Sequence, residues 1–367
     1  MKYLVIGSTS FIGRWVARQL VEAGHDVRSL AHNPDRTRHL GETGVEIMHG
    51  DITKKESMRE AMQGVDGVFH MASWSKLGIT NKQEIAAAEA INVGGTRNVM
   101  ELVRELKIPR CVYTSSLAVF SDTKGRKHNE SYRNHGPWLS VYDRTKWQAH
   151  YEVAVKMQED RVPIVIVQPG AVYGPGDPSG IHDIWVAYLR RRLPMVPSKT
   201  SFCWGHVEDI ARGHIKAMEQ GKPGESYILA GPQHTLIEAL EIAEKITGIK
   251  PPRLHPGPNM MKFFAAIMGA AGYVKKLPEA YTGEGLRVVA GTTYLGNDQK
   301  ARLELDFLPR SLEAGLRETL AFEQAELKRG NSVYDSVTAE QFHKERTAEA
   351  AETIAFLKSK VKNRKVK

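Results

Sequence analysis

The sequence predicts an α/β fold in which a doubly wound parallel sheet carries a smaller, intertwined C-terminal lobe. Three observations predict it. Strand-like and helical segments alternate as far as Pro169; the first of them, residues 2–20 (KYLVIGSTSFIGRWVARQL), joins an apolar strand to an amphipathic helix through a Gly/Ser turn; and beyond Pro169 the alternation breaks into Gly/Pro-rich loops (PGAVYGPGDPSG, 169–180).

Residues 3–6 are an apolar run of the kind buried on both faces of a parallel sheet, and Gly7 ends it where the chain must turn sharply. The helix begins near Phe11. Phe11, Ile12, Trp15, Val16, Gln19 and Leu20 share one face and Arg14 and Arg18 the other, so the first-turn amides aim at the turn, where a pyrophosphate fits. The pattern Gly7-x-x-Ser10-x-x-Gly13 is an imperfect phosphate fingerprint, but Gly24-His25-Asp26-Val27 opens a second strand at 27–31 and completes a βαβ unit. A third strand is expected at 45–48, followed by Gly50-Asp51 and a helix opened by a Thr53-x-x-Glu56 capping box, then a fourth strand at 65–70. A long helix at 84–106, a strand at 110–114, a helix at 140–157 and a strand at 162–167 follow, with a strand near 226–229 and a helix opened by the Thr235-x-x-Glu238 box in the lobe. The expected division is a dinucleotide-binding domain at 1–170 with a return segment near 205–230, a lobe of 171–204 and 231–329, and a helix-prone basic appendage at 330–367.

Composition narrows the class. The chain has 367 residues and 41% hydrophobic content, ordinary for a globular protein with a sizeable core. Cys111 and Cys203 give neither a disulfide framework nor metal-ligand spacing, which fits a reducing, cytoplasmic setting with no metal site. Met1 leads directly into the first strand, so no signal peptide is expected, and no apolar stretch reaches the ~20 residues of a membrane span. The nearest approach, 261–274, reads as a buried helix; a peripheral membrane contact or the wall of an apolar pocket are the sharper alternatives. The net charge of +9 favours anionic partners, but the basic end VKNRKVK (361–367) has no aromatic residue to stack on bases, and nucleic acid is not the expected partner.

The chemistry concentrates in two places. Strand 110–114 delivers Ser115 and Ser116 at its carboxyl end, the edge where open α/β sheets bind ligands. Tyr142 and Lys146, four apart, share one helical face, where the ammonium would favour phenolate and lower the tyrosine pKa.

Eight pieces in order then match a pattern: GSTSFIG (7–13), GDI (50–52), FHMAS (69–73), NVGGTRNV (92–99), YTSSLAVF (113–120), YDRTK (142–146), PGAVYGPGD (169–177) and HVEDIARGH (206–214). On these the sequence resembles the extended short-chain dehydrogenase/reductase family, the NAD(P)-dependent epimerase/dehydratase superfamily, over about residues 1–325. The resemblance implies a Rossmann-type doubly wound sheet and a catalytic Ser116, Tyr142 and Lys146. Ser116 would orient and polarise a carbonyl, Tyr142 exchange the proton, and Lys146 bond the nicotinamide ribose. It implies cofactor contacts at Gly7, Ser10, Phe11, Ile12 and Gly13 (the phosphate turn), Asp51 and Ile52 (adenine), and Met71, Ala72 and Ser73 (ribose and phosphates). Asn92, Tyr142 and Lys146 also belong to the cofactor set, as do Pro169, Gly170, Ala171 and Val172 (carboxamide). The chain departs from the pattern at Ser10, where a second glycine is usual and the side chain must bond a phosphate or crowd it. It departs again at Gln168, for an arginine, and at Ser121, for a glycine.

Strand two ends Leu30-Ala31-His32-Asn33, without the Asp or Glu that accepts from a ribose 2′-OH, and Arg28, Arg36 and Arg38 lie near in sequence. NADP(H) is therefore favoured over NAD(H), with His32 and Arg36 as candidates for the 2′-phosphate. The 284–307 stretch looks most like the dihydroflavonol reductase, 3β-hydroxysteroid dehydrogenase and hopanoid-associated sugar epimerase-like branch. The function expected is hydride transfer between the cofactor and a small-molecule ketone, aldehyde or alcohol, with the 74–84 insert and the 261–274 helix walling the pocket. The alternatives are a sugar-nucleotide epimerase or dehydratase with tightly held NAD, for which Arg190, Arg191 and Arg192 offer charge, and a non-catalytic dinucleotide sensor or nucleic-acid-binding relative. Analogy implies a homodimer through the Tyr142 helix, with Trp147, Val153 and Val155 in that contact or in the core.

Overall fold

A computed structural model describes residues 1–32, 44–79, 81–271 and 282–329, the side chains of 268–271 excepted. Arg36, Arg38, the end of the 261–274 run and the appendage lie outside the described residues. The described strands, in chain order, are β1 Lys2–Ile6, β2 Asp26–Ala31, β3 Glu46–His49, β4 Gly67–His70, β5 Cys111–Thr114, β6 Ile164–Pro169, β7 Ala171–Tyr173, β8 Ser201–His206, β9 Ser226–Leu229, β10 Gln233–Thr235 and β11 Thr293–Tyr294. Seven of them form one sheet in the order β3-β2-β1-β4-β5-β6-β9, every pairing parallel. The order reverses between β1 and β4, so the crevice outside their carboxyl ends is the place where such a sheet takes a ligand.

The near-continuous apolar character of β1 follows from its double burial. Tyr3 and Val5 join a core with Val16, Leu20, Phe69 and Ile210, whereas Leu4 and Ile6 join the opposite one with Met58, Val99 and Val103. Helices Phe11–Glu22 and Val207–Glu219 cover the first face. Helix Thr96–Glu105 and the chain from Gln148 to Glu159 cover the second. In a second sheet β8 is central, pairing antiparallel with β10 and parallel with β7 and β11, over a third core that includes Trp185, Trp204, Leu240 and Leu316.

Two expectations need correction. The Thr53-x-x-Glu56 box is not formed: the Thr53 amide and hydroxyl both donate to Asp51 Oδ1, at 2.9 and 2.8 Å, and Lys55–Met58 is a 3₁₀ turn without a side-chain cap. The nearby carboxylate outcompetes the helix N-terminus for the hydroxyl. The helices expected at 84–106 and 140–157 are each interrupted by a π-helical stretch, Ala90–Gly95 and Gln148–Ala154, which carry the buried Asn92 and His150 toward the sheet. The Thr235 box does form: Glu238 N donates to Thr235 Oγ1 at 3.1 Å and Thr235 N to Glu238 Oε2 at 2.7 Å. Of the residues considered for a dimer contact, Val153 is in the core, and the Trp147 indole donates to the Asn134 carbonyl of its own chain at 2.8 Å.

Candidate active site

The phosphate turn is built by close approach of backbone. Gly7 has φ +92°, and a Cβ there would lie 2.6 Å from Ala72 N; a Cβ on Gly13 would collide with the Gly7 carbonyl oxygen. Those contacts seat the helix directly against β1 and the turn after β4. Ser10, in the position of the missing glycine, neither crowds the turn nor awaits a ligand: its Oγ accepts from Gly13 N at 3.1 Å and caps the helix. The Phe11 and Ile12 amides keep no i−4 carbonyl inside the helix, so the turn offers donors and a positive helix end to an anion. A dinucleotide pyrophosphate fits this cradle.

At the end of β2, His32 Nε2 lies 3.9 Å and Lys54 Nζ 3.6 Å from Asp51 Oδ2. Ile52 covers Gly95, where a Cβ would come 2.7 Å from its Cδ1, and Asn98 Nδ2 donates to its carbonyl at 2.8 Å. Met71 is in the core, and Ala72 and Ser73 keep partial exposure after β4. Asn92 bonds within the chain: Oδ1 accepts from Trp74 N at 2.7 Å, and Nδ2 donates to the Trp74 carbonyl and to Thr145 Oγ1 at 3.0 and 2.9 Å. It ties the insert to the Tyr142 helix. Pro169 closes β6, Gly170 lies against the Cys203 carbonyl, and Ala171 and Val172 enter β7 with partial exposure.

The two serines after β5 divide their roles. Ser115 is buried with its Oγ 2.7 Å from His150 Nδ1, whereas Ser116 is partly exposed, caps the Leu117–Phe120 turn through Ala118 N at 3.1 Å, and sits beside Tyr142. Ser140 caps helix Val141–Trp147, which carries Tyr142 and Lys146. Lys146 Nζ donates to the Thr114 carbonyl at 2.7 Å and lies 5.1 Å from the Tyr113 ring centre. Burial pulls Lys146 down to about 7. The expected lowering of the tyrosine pKa is absent: burial pushes Tyr142 up to about 12, the Asp143 charge adds to the rise, and only the neighbouring Ser116 hydroxyl opposes it. The ammonium is committed to a backbone carbonyl, and burial decides the acidity of the phenol.

Sequence reading missed two carboxylates that hold this helix. Asp143 is buried and accepts from the hydroxyls of Ser140, Ser121 and Tyr294, at 2.8, 3.3 and 3.1 Å, joining the serine loop, the Tyr142 helix and β11. Ser121, at φ +52° where a glycine would be unstrained, is the donor from the serine loop. Glu284 takes Val141 N at 2.6 Å and Ile79 N at 2.8 Å, fixing the insert and the helix start together. The Asp three residues after Ser140 was a legible capping signal, but its partners Ser121 and Tyr294 lie far away in sequence.

Burial pushes Asp143 up to about 6. Because the folded state then binds more protons than an unfolded chain with the ordinary value of 3.8, this carboxyl contributes stability that grows as pH falls through about 6 toward 3.8. Asp143→Asn is expected to remove that slope, worth up to about 3 kcal/mol, in urea melts across the same interval. Losing the neighbouring charge is also expected to lower the Tyr142 pKa.

Elsewhere, His206, Glu208 and Glu318 place ligand atoms within 4.8 Å of one another, but the Arg310 guanidinium bonds both carboxylates, at 2.5 Å to Glu208 and 2.8 Å to Glu318. The cation at that cluster is the chain's own. Arg190, Arg191 and Arg192 are exposed; Arg191 lines a cleft of about 370 Å³ with Tyr188, Leu193 and Lys250 that contains none of Ser116, Tyr142 and Lys146.

Residues 3–230 match the model of the NAD dependent epimerase/dehydratase family. The chain is 31% identical over 259 residues to a putative dihydroflavonol 4-reductase of Synechocystis sp., covering 68% of this chain and 74% of that protein. It is 26% identical over 330 residues to sterol demethylase protein B of Methylococcus capsulatus, covering 88% and 98%. Among solved structures, that of gox2253 superposes with a TM-score of 0.75 at 28% identity, covering 88% of this chain and 98% of that one.

Proposed function

The chain belongs to the NAD dependent epimerase/dehydratase family, and within it we propose a reductase of an apolar ketone or aldehyde that uses NADPH. The observation that carries the reading is Tyr142: a phenol beside Ser116 and pushed up to about 12 is protonated at neutral pH, the state that donates to a carbonyl oxygen as it becomes an alkoxide. Bound in the Gly7–Gly13 cradle, a nicotinamide dinucleotide supplies the hydride. Ser116 orients the carbonyl oxygen by hydrogen bonding, Tyr142 gives up its proton to it, and Lys146, anchored on Thr114, is positioned to bond a ribose hydroxyl. Reduction is supported by the activity for which the Synechocystis relative is named, and an apolar substrate by the sterol in the name of the Methylococcus relative.

Preference for NADPH is supported by His32 and Lys54 around Asp51 at the end of β2. Titration followed by nicotinamide fluorescence is expected to give tighter binding of NADPH than of NADH. His32→Asp, which places a carboxylate opposite the 2′ position, is expected to weaken NADPH about tenfold and reverse the preference. NAD that copurifies and does not exchange would replace this reading with an epimerase; no binding of either dinucleotide would sink it.

A further inference from the structure

Helix Pro258–Ala271 buries Met261 and Ala265 but turns Met260, Phe263 and Ile267 outward, at 42, 63 and 49% exposure. The spacing i, i+3, i+7 makes these a stripe along one face, where a surface helix of a water-soluble domain carries polar groups. Leu254, 53% exposed in the approach to the helix, adds a further large apolar side chain. The charge around the stripe has one sign: from Lys250 to Ala271 the sequence holds Lys250, Arg253 and Lys262 and no Asp or Glu. All three are exposed. Lys250 also edges the cleft of about 370 Å³ shared with Arg191, a recess with cations and no carboxylate in its lining.

We infer that this helix docks the protein on an anionic membrane surface, its apolar stripe entering the interface and Lys250, Arg253 and Lys262 meeting lipid phosphates. An apolar stripe with basic flanks and no acid matches the chemistry of an anionic bilayer surface. A second copy of the chain is disfavoured, because a two-fold contact on this face would set like charges against each other. No described helix is long and apolar enough to cross a membrane, so the contact is peripheral. The helix packs on helix Gly283–Val288, whose Glu284 holds Val141 N at the start of the Tyr142 helix, so the docked face is two contacts from the candidate catalytic residues. The docking does not depend on the reductase reading.

The test is cosedimentation of the full chain with vesicles of phosphatidylcholine alone and of phosphatidylcholine mixed equally with phosphatidylglycerol. Binding is expected to the anionic vesicles and to weaken at high salt. Phe263→Asp with Ile267→Asp is expected to lower the partition coefficient at least about tenfold, and Arg253→Glu with Lys262→Glu to abolish the preference for anionic lipid. Leu303→Asp with Leu308→Asp, at leucines elsewhere that are more exposed still, is expected to change nothing. Failure of the wild type to bind vesicles, equal binding to both compositions, or a dimer in light scattering that Phe263→Asp with Ile267→Asp dissolves would overturn the inference. NADPH oxidation with a short water-soluble ketone, followed in parallel, is expected to be present in the wild type and the same in Leu303→Asp with Leu308→Asp. Its absence in the wild type would count against the reductase and leave the docking result standing.

Discussion

Tyr142→Phe is expected to cut carbonyl reduction by about 10²–10⁴-fold while leaving NADPH titration unchanged, because the substitution removes one hydroxyl from the site and nothing from the phosphate cradle. The split between turnover and binding separates a proton donor from a residue that merely packs. The pH dependence gives a second handle. Tyr142, pushed up to about 12, is protonated through the neutral range, so reduction is expected to show no loss from this group on moving from pH 6 to 9. Alcohol oxidation needs the phenolate and is expected to rise about tenfold per pH unit over the same range. In Asp143→Asn, where a negative charge that raises the phenol is gone, the alkaline rise is expected to begin at lower pH. A wild-type oxidation rate independent of pH would remove Tyr142 from the proton transfer.

Gly13→Ala is expected to destabilise the fold by about 3 kcal/mol or more and to abolish dinucleotide binding. A Cβ at this position meets the Gly7 carbonyl oxygen and lies 2.9 Å from Ser10 Oγ; the first is backbone and has nowhere to go without moving β1 from the helix. Separating them tilts the first-turn amides away from the anion they are placed to bind. Ser10→Gly provides the contrast: it removes the cap on Gly13 N and restores the family's usual residue, so a loss of only a few tenths of a kcal/mol is expected. Urea denaturation and fluorescence titration of the two variants check the pair. Equal, mild effects would mean that the turn relaxes freely and is no rigid cradle.

How much of this was legible in the sequence differs between the two halves of the site. The phosphate turn was readable because each part of it is local: Gly7, Ser10 and Gly13 act on one another across six residues, and the apolar run of β1 reports its own double burial. What Ser10 does was not readable, since a hydroxyl beside an anion site caps or crowds according to its rotamer. The Ser–Tyr–Lys group was readable as a spacing and a strand end, but its electrostatics were not. A four-residue separation suggests that an ammonium acts on a phenol. The folded chain instead gives Lys146 to the Thr114 carbonyl and leaves burial to decide the acidity of Tyr142.

The sequence by itself determined the parallel sheet, and it put Ser116 at a strand end and Tyr142 and Lys146 on one helical face, because hydrophobic period and turn residues act over a few positions; the strand order, with its reversal between β1 and β4, came from the fold. Only the tertiary structure decided what holds those residues in place. Asp143 reaches Ser121 and Tyr294, and Glu284 reaches Ile79 and Val141, across separations of 22, 151, 205 and 143 residues. The protonation state of each buried group depends on such partners and on the water excluded around it, and neither is written in local pattern. The outward apolar stripe on helix Pro258–Ala271 belongs to the same class: period shows that a helix has an apolar face, but packing decides which face stays open.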